Sequence, residues 1–110
     1  MNKICTSLEQ SQKLLELGID INTADMFYTI IDQGLYLEVK QGIEPSKDDI
    51  PCWSLTTLMN VLDRGALFKT PQGWACQAYI DFKAITSDHY NNPIDACVAM
   101  IIKLYELKIL

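Results

Sequence analysis

The sequence predicts an α+β domain in which three principal helices pack on a small antiparallel sheet of one or two β-hairpins. Three observations lead there. Helix-start signals stand at Ser7, Ser54 and Asn92, apolar and polar residues alternate through residues 74–82, and turn-forming residues separate runs rich in β-formers. With 110 residues, 49% of them apolar and 21% charged, the chain suits one globular domain and not a disordered tail. At this mass about two-thirds of the unfolded surface can be buried, enough for one core without a metal or disulfide staple.

The first helix is marked at both ends. Ser7-Leu8-Glu9-Gln10 fits a capping box, and Gly18 suits a left-handed C-cap, so a helix is expected from about Leu8 to Leu17. Thr23-Ala24-Asp25 then suggests a brief helical turn with Asp25 near its positive end. Residues 27–31 and 35–39 are β-rich, and Asp32-Gln33-Gly34 between them suits a three-residue hairpin loop with Gly34 left-handed. A helix over residues 23–33 competes, because Met26, Ile30 and Gln33 also keep a helical period.

Residues 41–49 hold Gly42, Glu44, Pro45, Ser46, Lys47, Asp48 and Asp49 and read as an exposed loop. Pro51 favours an extended Ile50, and Ser54 is a good N-cap. Trp53 before that cap and Leu58 four residues after it occupy hydrophobic-staple positions. Leu55, Leu58, Met59 and Leu62 give the helix an apolar face ending near Asp63, with Gly65 beyond its C-cap.

Residues 66–70 and 74–82 form a second hairpin about Pro71-Gln72-Gly73, a type I turn signal. Trp74, Cys76, Ala78, Ile80 and Phe82 share one face of the longer strand. A polar loop over residues 86–91 leads to Asn92-Pro93-Ile94-Asp95, an N-cap, a proline at N1 and an acid in the first turn. The last helix, residues 93–107, presents Ile94, Cys97, Val98, Ile101, Leu104 and Tyr105 as a stripe that Met100 and Ile102 widen, marking it as central.

Charge and motif content narrow the function classes. Nine basic against fourteen acidic residues give a net charge of −5, which argues against nucleic-acid binding. The longest apolar run, residues 96–102, is far short of the ~20 residues of a membrane span. Glu9 interrupts any signal-peptide core, so a cytoplasmic setting is expected, with Cys5, Cys52, Cys76 and Cys97 as free structural thiols. The cysteine spacings contain no zinc knuckle and the scattered glycines no phosphate loop, so neither metal nor cofactor is expected. Glu44, Asp48 and Asp49 lack the alternation of a calcium loop and read as a solvated acidic surface.

Two function classes follow. A small enzyme would rest on His89, the single histidine, beside Asp88 and with a thiol or carboxylate cluster brought near it by the fold. A non-enzymatic protein-binding or accessory module would use a rim of Asp48, Asp49, Pro51 and Trp53, with acids for charge steering and an indole anchor. Its partner is an unknown protein or a second copy of the chain. The second class is favoured, because every catalytic or metal pattern is incomplete.

Several segments also carry a resemblance. Residues 6–11 (Thr-Ser-Leu-Glu-Gln-Ser), residues 13–19 (Lys-Leu-Leu-Glu-Leu-Gly-Ile), Thr23-Ala24-Asp25-Met26, residues 50–55 and residues 92–96 resemble, in the same order, small uncharacterised proteins of Bacteroides-type bacteria and their prophages or mobile elements. That resemblance implies a bacterial or phage setting. It carries no activity and no catalytic residue.

Overall fold

The structure is a computed structural model that describes residues 3–31, 34–39 and 48–109. Its first helix, α1 (Leu8–Leu17), starts at the capping box: Gln10 N donates to Ser7 Oγ at 3.2 Å and Ser7 N donates to Gln10 Oε1 at 2.9 Å. It stops at Gly18, whose φ of 94° lets its N–H reach back to the Leu14 and Leu15 carbonyls. A single 3-10 turn, Ile21–Thr23, follows, and Asp20 caps it by accepting from Asn22 N at 3.0 Å. Asp25 therefore does not start this turn.

Three strands form the first sheet, in the order β2-β1-β3: β1 (Met26–Ile31), β2 (Gly34–Val39) and β3 (Ile50–Cys52), all antiparallel. Pairing on both sides of β1 explains why the hairpin wins over a helix across residues 23–33. Gly34 opens β2 opposite Ile31, and the connecting residues 32–33 of the expected hairpin loop lie outside the described residues, as do residues 40–47 with Glu44.

Helix α2 (Leu55–Leu62) ends on its C-cap Asp63 at φ 64°, and Gly65, two residues beyond that cap, also starts the next strand. The second sheet has the order β4-β5-β6, from β4 (Gly65–Thr70), β5 (Gly73–Ile80) and β6 (Lys83–Thr86). The turn at Pro71-Gln72 joins Thr70 and Gly73 as facing partners, and neither central residue has positive φ, as a type I turn requires. The expected strand through Phe82 breaks two residues early. Asp81 and Phe82 make a second tight turn, and residues 83–86, of which only Thr86 has a sequence reading, as the start of a loop, become β6.

Beyond β6 the chain stays against β5. Ser87 N donates to Cys76 O at 2.8 Å, and Trp74 and Tyr90 exchange backbone bonds of 2.7 and 2.8 Å. This close approach requires glycine at 73: φ is 130°, and an added Cβ would lie 2.5 Å from Tyr90 O. Helix α3 (Pro93–Glu106) is then capped by Asn92 Oδ1, which accepts from Asp95 N at 2.9 Å.

The described chain is thus α+β, with three helices and two small antiparallel sheets rather than one. Helix α3 is central: it packs on β5, α2 and α1, while α1 also meets β3. Ile94, Ala96, Cys97, Val98, Met100, Ile101 and Leu104 are buried, whereas Tyr105 and Ile102 border the core. Leu14, Trp53, Leu58, Cys76 and Ala78 complete it from the other elements. The long dimension is 47 Å against 22 Å for the short one, as suits two sheets sharing one helical core.

Trp53 and Leu58, the staple pair, are both wholly buried. Trp53→Ala is expected to cost about 3–5 kcal/mol in denaturant unfolding, and Val98→Ala less because fewer buried atoms are lost. An unchanged midpoint for Trp53→Ala would contradict this packing. Gly73→Ala is expected to cost about 1–3 kcal/mol, through positive φ and the crowding against Tyr90; equal thermal midpoints for variant and parent would refute it.

Candidate functional site

The structure separates the rim residues that the sequence brings together. Asp48 is exposed and Asp49 half-buried, but Pro51 is buried opposite Phe27 and Trp53 has no exposed surface. The indole Nε1 donates to Thr23 Oγ1 at 2.9 Å, and the Trp53 backbone pairs with Thr6 through Trp53 N to Thr6 Oγ1 at 3.1 Å and Thr6 N to Trp53 O at 3.0 Å. Pro51 and Trp53 are therefore core, not anchors. An indole with its N–H satisfied inside the protein offers a partner nothing without unfolding β3.

His89 is exposed, whereas all four thiols are buried and free. No hydrogen bond or ion pair joins His89 to another described residue, and it lines neither the cleft beside Asp95 nor the cleft at the β5–β6 turn. The fold does not assemble a thiol–histidine pair. Among the described residues no group of three or more His, Cys, Asp or Glu side chains is placed to hold a metal ion. No helix among them is long and apolar enough to cross a membrane.

Two polar clusters gather charge, and both serve helix starts. Asp25 accepts from Ser54 N at 2.9 Å, Ser54 Oγ at 2.6 Å and Thr57 Oγ1 at 3.2 Å, so its carboxylate caps α2 from a distant part of the chain. Ser54 is the N-cap by position but makes no side-chain cap bond of its own.

The second cluster ties α1 to α3. Asp95 Oδ1 accepts from Lys3 Nζ and Gln10 Nε2, both at 2.7 Å, while Oδ2 accepts from Asn92 Nδ2 at 2.7 Å. Lys3 Nζ also donates to Gln10 Oε1 at 2.6 Å. Burial pushes the Asp95 carboxyl up, but the bonds from Lys3, Gln10 and Asn92 and the Lys3 charge outweigh it and leave it below its ordinary range. A cleft of about 480 Å³ opens beside this cluster, lined also by Tyr90, Val98 and Ile102. Its polar groups are already committed to one another.

The other end of the molecule differs. At the β5–β6 turn, Asp81 has φ 50° and Phe82 φ 65°, and Phe82 is 110% exposed. Positive φ at both central residues belongs to the tight hairpin turn that favours Asn-Gly, so a phenylalanine there is held at a steric cost. Beneath the tip lies a cleft of about 590 Å³ lined by Ile80, Asp81, Lys83, Ile85, Lys108 and Ile109. Ile109 is 40% exposed, and Lys108 is itself left-handed at φ 59°. Trp74, the other tryptophan, is half-buried with Lys69 Nζ 5.7 Å from its ring centre, so its face is already covered.

Sequence reasoning missed the tip. Asp81-Phe82 has neither glycine nor asparagine, and Phe82 continues the strand alternation perfectly. Compared with known protein families, with curated proteins and with solved structures, the chain matches none of the three sets.

The Asp95 cluster has a pH signature. A carboxyl depressed in the folded state stabilises above its unfolded pKa of about 3.9, and that contribution is lost as pH falls through the folded value. Asp95→Asn is expected to lower the urea midpoint near neutral pH, with the gap to wild type narrowing below about pH 4. A gap independent of pH would exclude the charge as its cause.

Proposed function

We propose that the protein is a non-enzymatic protein-binding or accessory module that engages another protein through the β5–β6 tip, with Phe82 as the apolar anchor. The resemblance to proteins of Bacteroides-type bacteria and their mobile elements suggests a bacterial or phage setting. One observation carries the reading: a phenylalanine stands fully in solvent on a turn whose backbone disfavours it. Nothing in the folding of this chain needs that ring. Strained, exposed residues of this kind cluster at binding sites, and aromatic anchors dominate the energy of protein interfaces.

The surroundings support the same reading. Ile80, Ile85 and Ile109 form the apolar floor of the adjoining cleft, and Asp81, Lys83 and Lys108 rim it with both signs of charge. Strand β6 is the edge of its sheet, so its outer backbone is open to an added strand. Asp48, exposed elsewhere, is not required by this surface.

Phe82→Gly separates binding from folding, because glycine accepts the turn's positive φ. Its thermal midpoint is expected to equal or exceed the parent's. Recovery of the partner captured by immobilised protein from the native host is expected to fall by at least about tenfold, the scale of a lost anchor. Undiminished recovery would remove Phe82 from the interface. If no partner is retained and sedimentation shows a monomer at every concentration, the binding-module reading fails.

A further inference from the structure

The β5–β6 end carries a knob and a hole on one surface. Phe82 is the knob, fully exposed on its turn, and the cleft of about 590 Å³ beside it is the hole. Ile80 and Ile85 of the sheet and Ile109 beyond α3 make the hole apolar. Its α3 side is held by the helix end: Lys108 N donates to Tyr105 O at 3.0 Å and Ile109 N to Leu104 O at 2.8 Å, the two bonds of a Schellman cap. That cap ordinarily has glycine where Lys108 stands at φ 59°. Among the described residues four non-glycines have positive φ, and Asp81, Phe82 and Lys108 are three of them. Strain of this kind gathers at functional surfaces.

Charge follows the same division. Asp81 is the sequence neighbour of the knob, whereas Lys83 and Lys108 line the hole from opposite sides, one on the sheet and one at the helix end. None of these three side chains is hydrogen-bonded or ion-paired to another described residue.

We propose that this surface pairs with a second copy of itself about a two-fold axis, each Phe82 entering the other copy's cleft. The inference rests on the tip being a binding surface and names what it binds. A two-fold interface uses one patch twice, so a patch that holds both knob and hole is complementary to itself. Asp81 travels with Phe82 and arrives at the second copy's Lys83 and Lys108. Each of the two contacts thus sets one acid against two bases, and charges that lack an internal partner gain one. A partner of a single sign would instead leave either Asp81 or the lysines facing a like charge.

Size sets the strength. The cleft volume lies within the roughly 300–1,000 Å³ of sites that enclose small organic groups, so a phenyl ring is accommodated. An aromatic side chain buries about 150–250 Å². Two rings and the walls they cover fall short of the roughly 1,200 Å² at which stable interfaces begin. The dimer is therefore weak and concentration-dependent, with dissociation in the micromolar range or above.

Sedimentation equilibrium of the full chain, from about 10 μM to about 1 mM, reads the pairing. Wild type is expected to dimerise within that range. Phe82→Gly, which relieves the turn, is expected to weaken association by at least about tenfold. Asp81→Lys alone, or Lys83→Glu together with Lys108→Glu, places like charges in both contacts and is expected to weaken it by roughly three- to tenfold. Mixed one to one, these two charge variants are opposite in sign at both contacts, and a mixed dimer of about wild-type strength is expected. A wild-type monomer at about 1 mM, a Phe82→Gly dimer as tight as wild type, or a mixture no tighter than its components would each overturn the pairing. A monomer that still captures a different protein through Phe82 removes the second copy alone and leaves the binding-module reading in place.

Discussion

Burying the Trp53 indole is the constraint on which the first half of the molecule depends. The ring is wholly enclosed, and its N–H is satisfied by Thr23 just after α1. That one side chain therefore needs β3, the 3-10 turn and α2 all in place. The backbone on either side repeats the demand: Trp53 pairs with Thr6 ahead of α1, and Ser54 reaches Asp25 ahead of β1. A large aromatic contributes most of its energy only when the shell around it is complete. These segments therefore fold as one unit, and the indole cannot serve as an outward anchor as well.

Helix α3 plays the corresponding part in the second half, and the joint between halves is electrostatic as well as apolar. Asp95 in its first turn accepts from the Asn92 cap and also from Lys3 and Gln10. Gln10 is at the same time the return arm of the α1 capping box. Two helix N-termini thus share one carboxylate, which complements both dipoles while the core residues Leu14 and Ile101 pack behind them. The Lys3–Asp95 ion pair is partly exposed, so salt and solvent weaken it. Much of its value lies in satisfying hydrogen bonds in a set geometry.

Against this internally satisfied body, the β5–β6 tip stands out. Its aromatic ring is fully exposed and its backbone bears strain, the reverse of Trp53 and of the side chains that α3 buries. The cysteines belong to the satisfied body: all four are free and buried, with Cys5 Sγ 3.3 Å from the Tyr28 hydroxyl and Cys97 Sγ 3.4 Å from Met59 Sδ.

What the sequence alone determined is local. Ser7 with Gln10, Gly18, the Trp53–Leu58 staple and Asn92-Pro93 are complete within a few residues, so the three helices and their ends were legible. Pro71-Gln72-Gly73 and the alternation after Trp74 likewise disclosed the second hairpin. Tertiary structure decided whatever needs a partner distant in sequence. Asp25 caps α2 across the chain, β3 exists because β1 offers it an edge, and the helix alternative over residues 23–33 fails for the same reason. Glycine gave no warning of the turn at Phe82, because positive φ there is imposed by strands pairing on either side. Trp53 is the clearest case: its staple position was readable in sequence, but that position also suited a binding rim. Only the shell assembled around the ring, by contacts remote in sequence, decided that it is core.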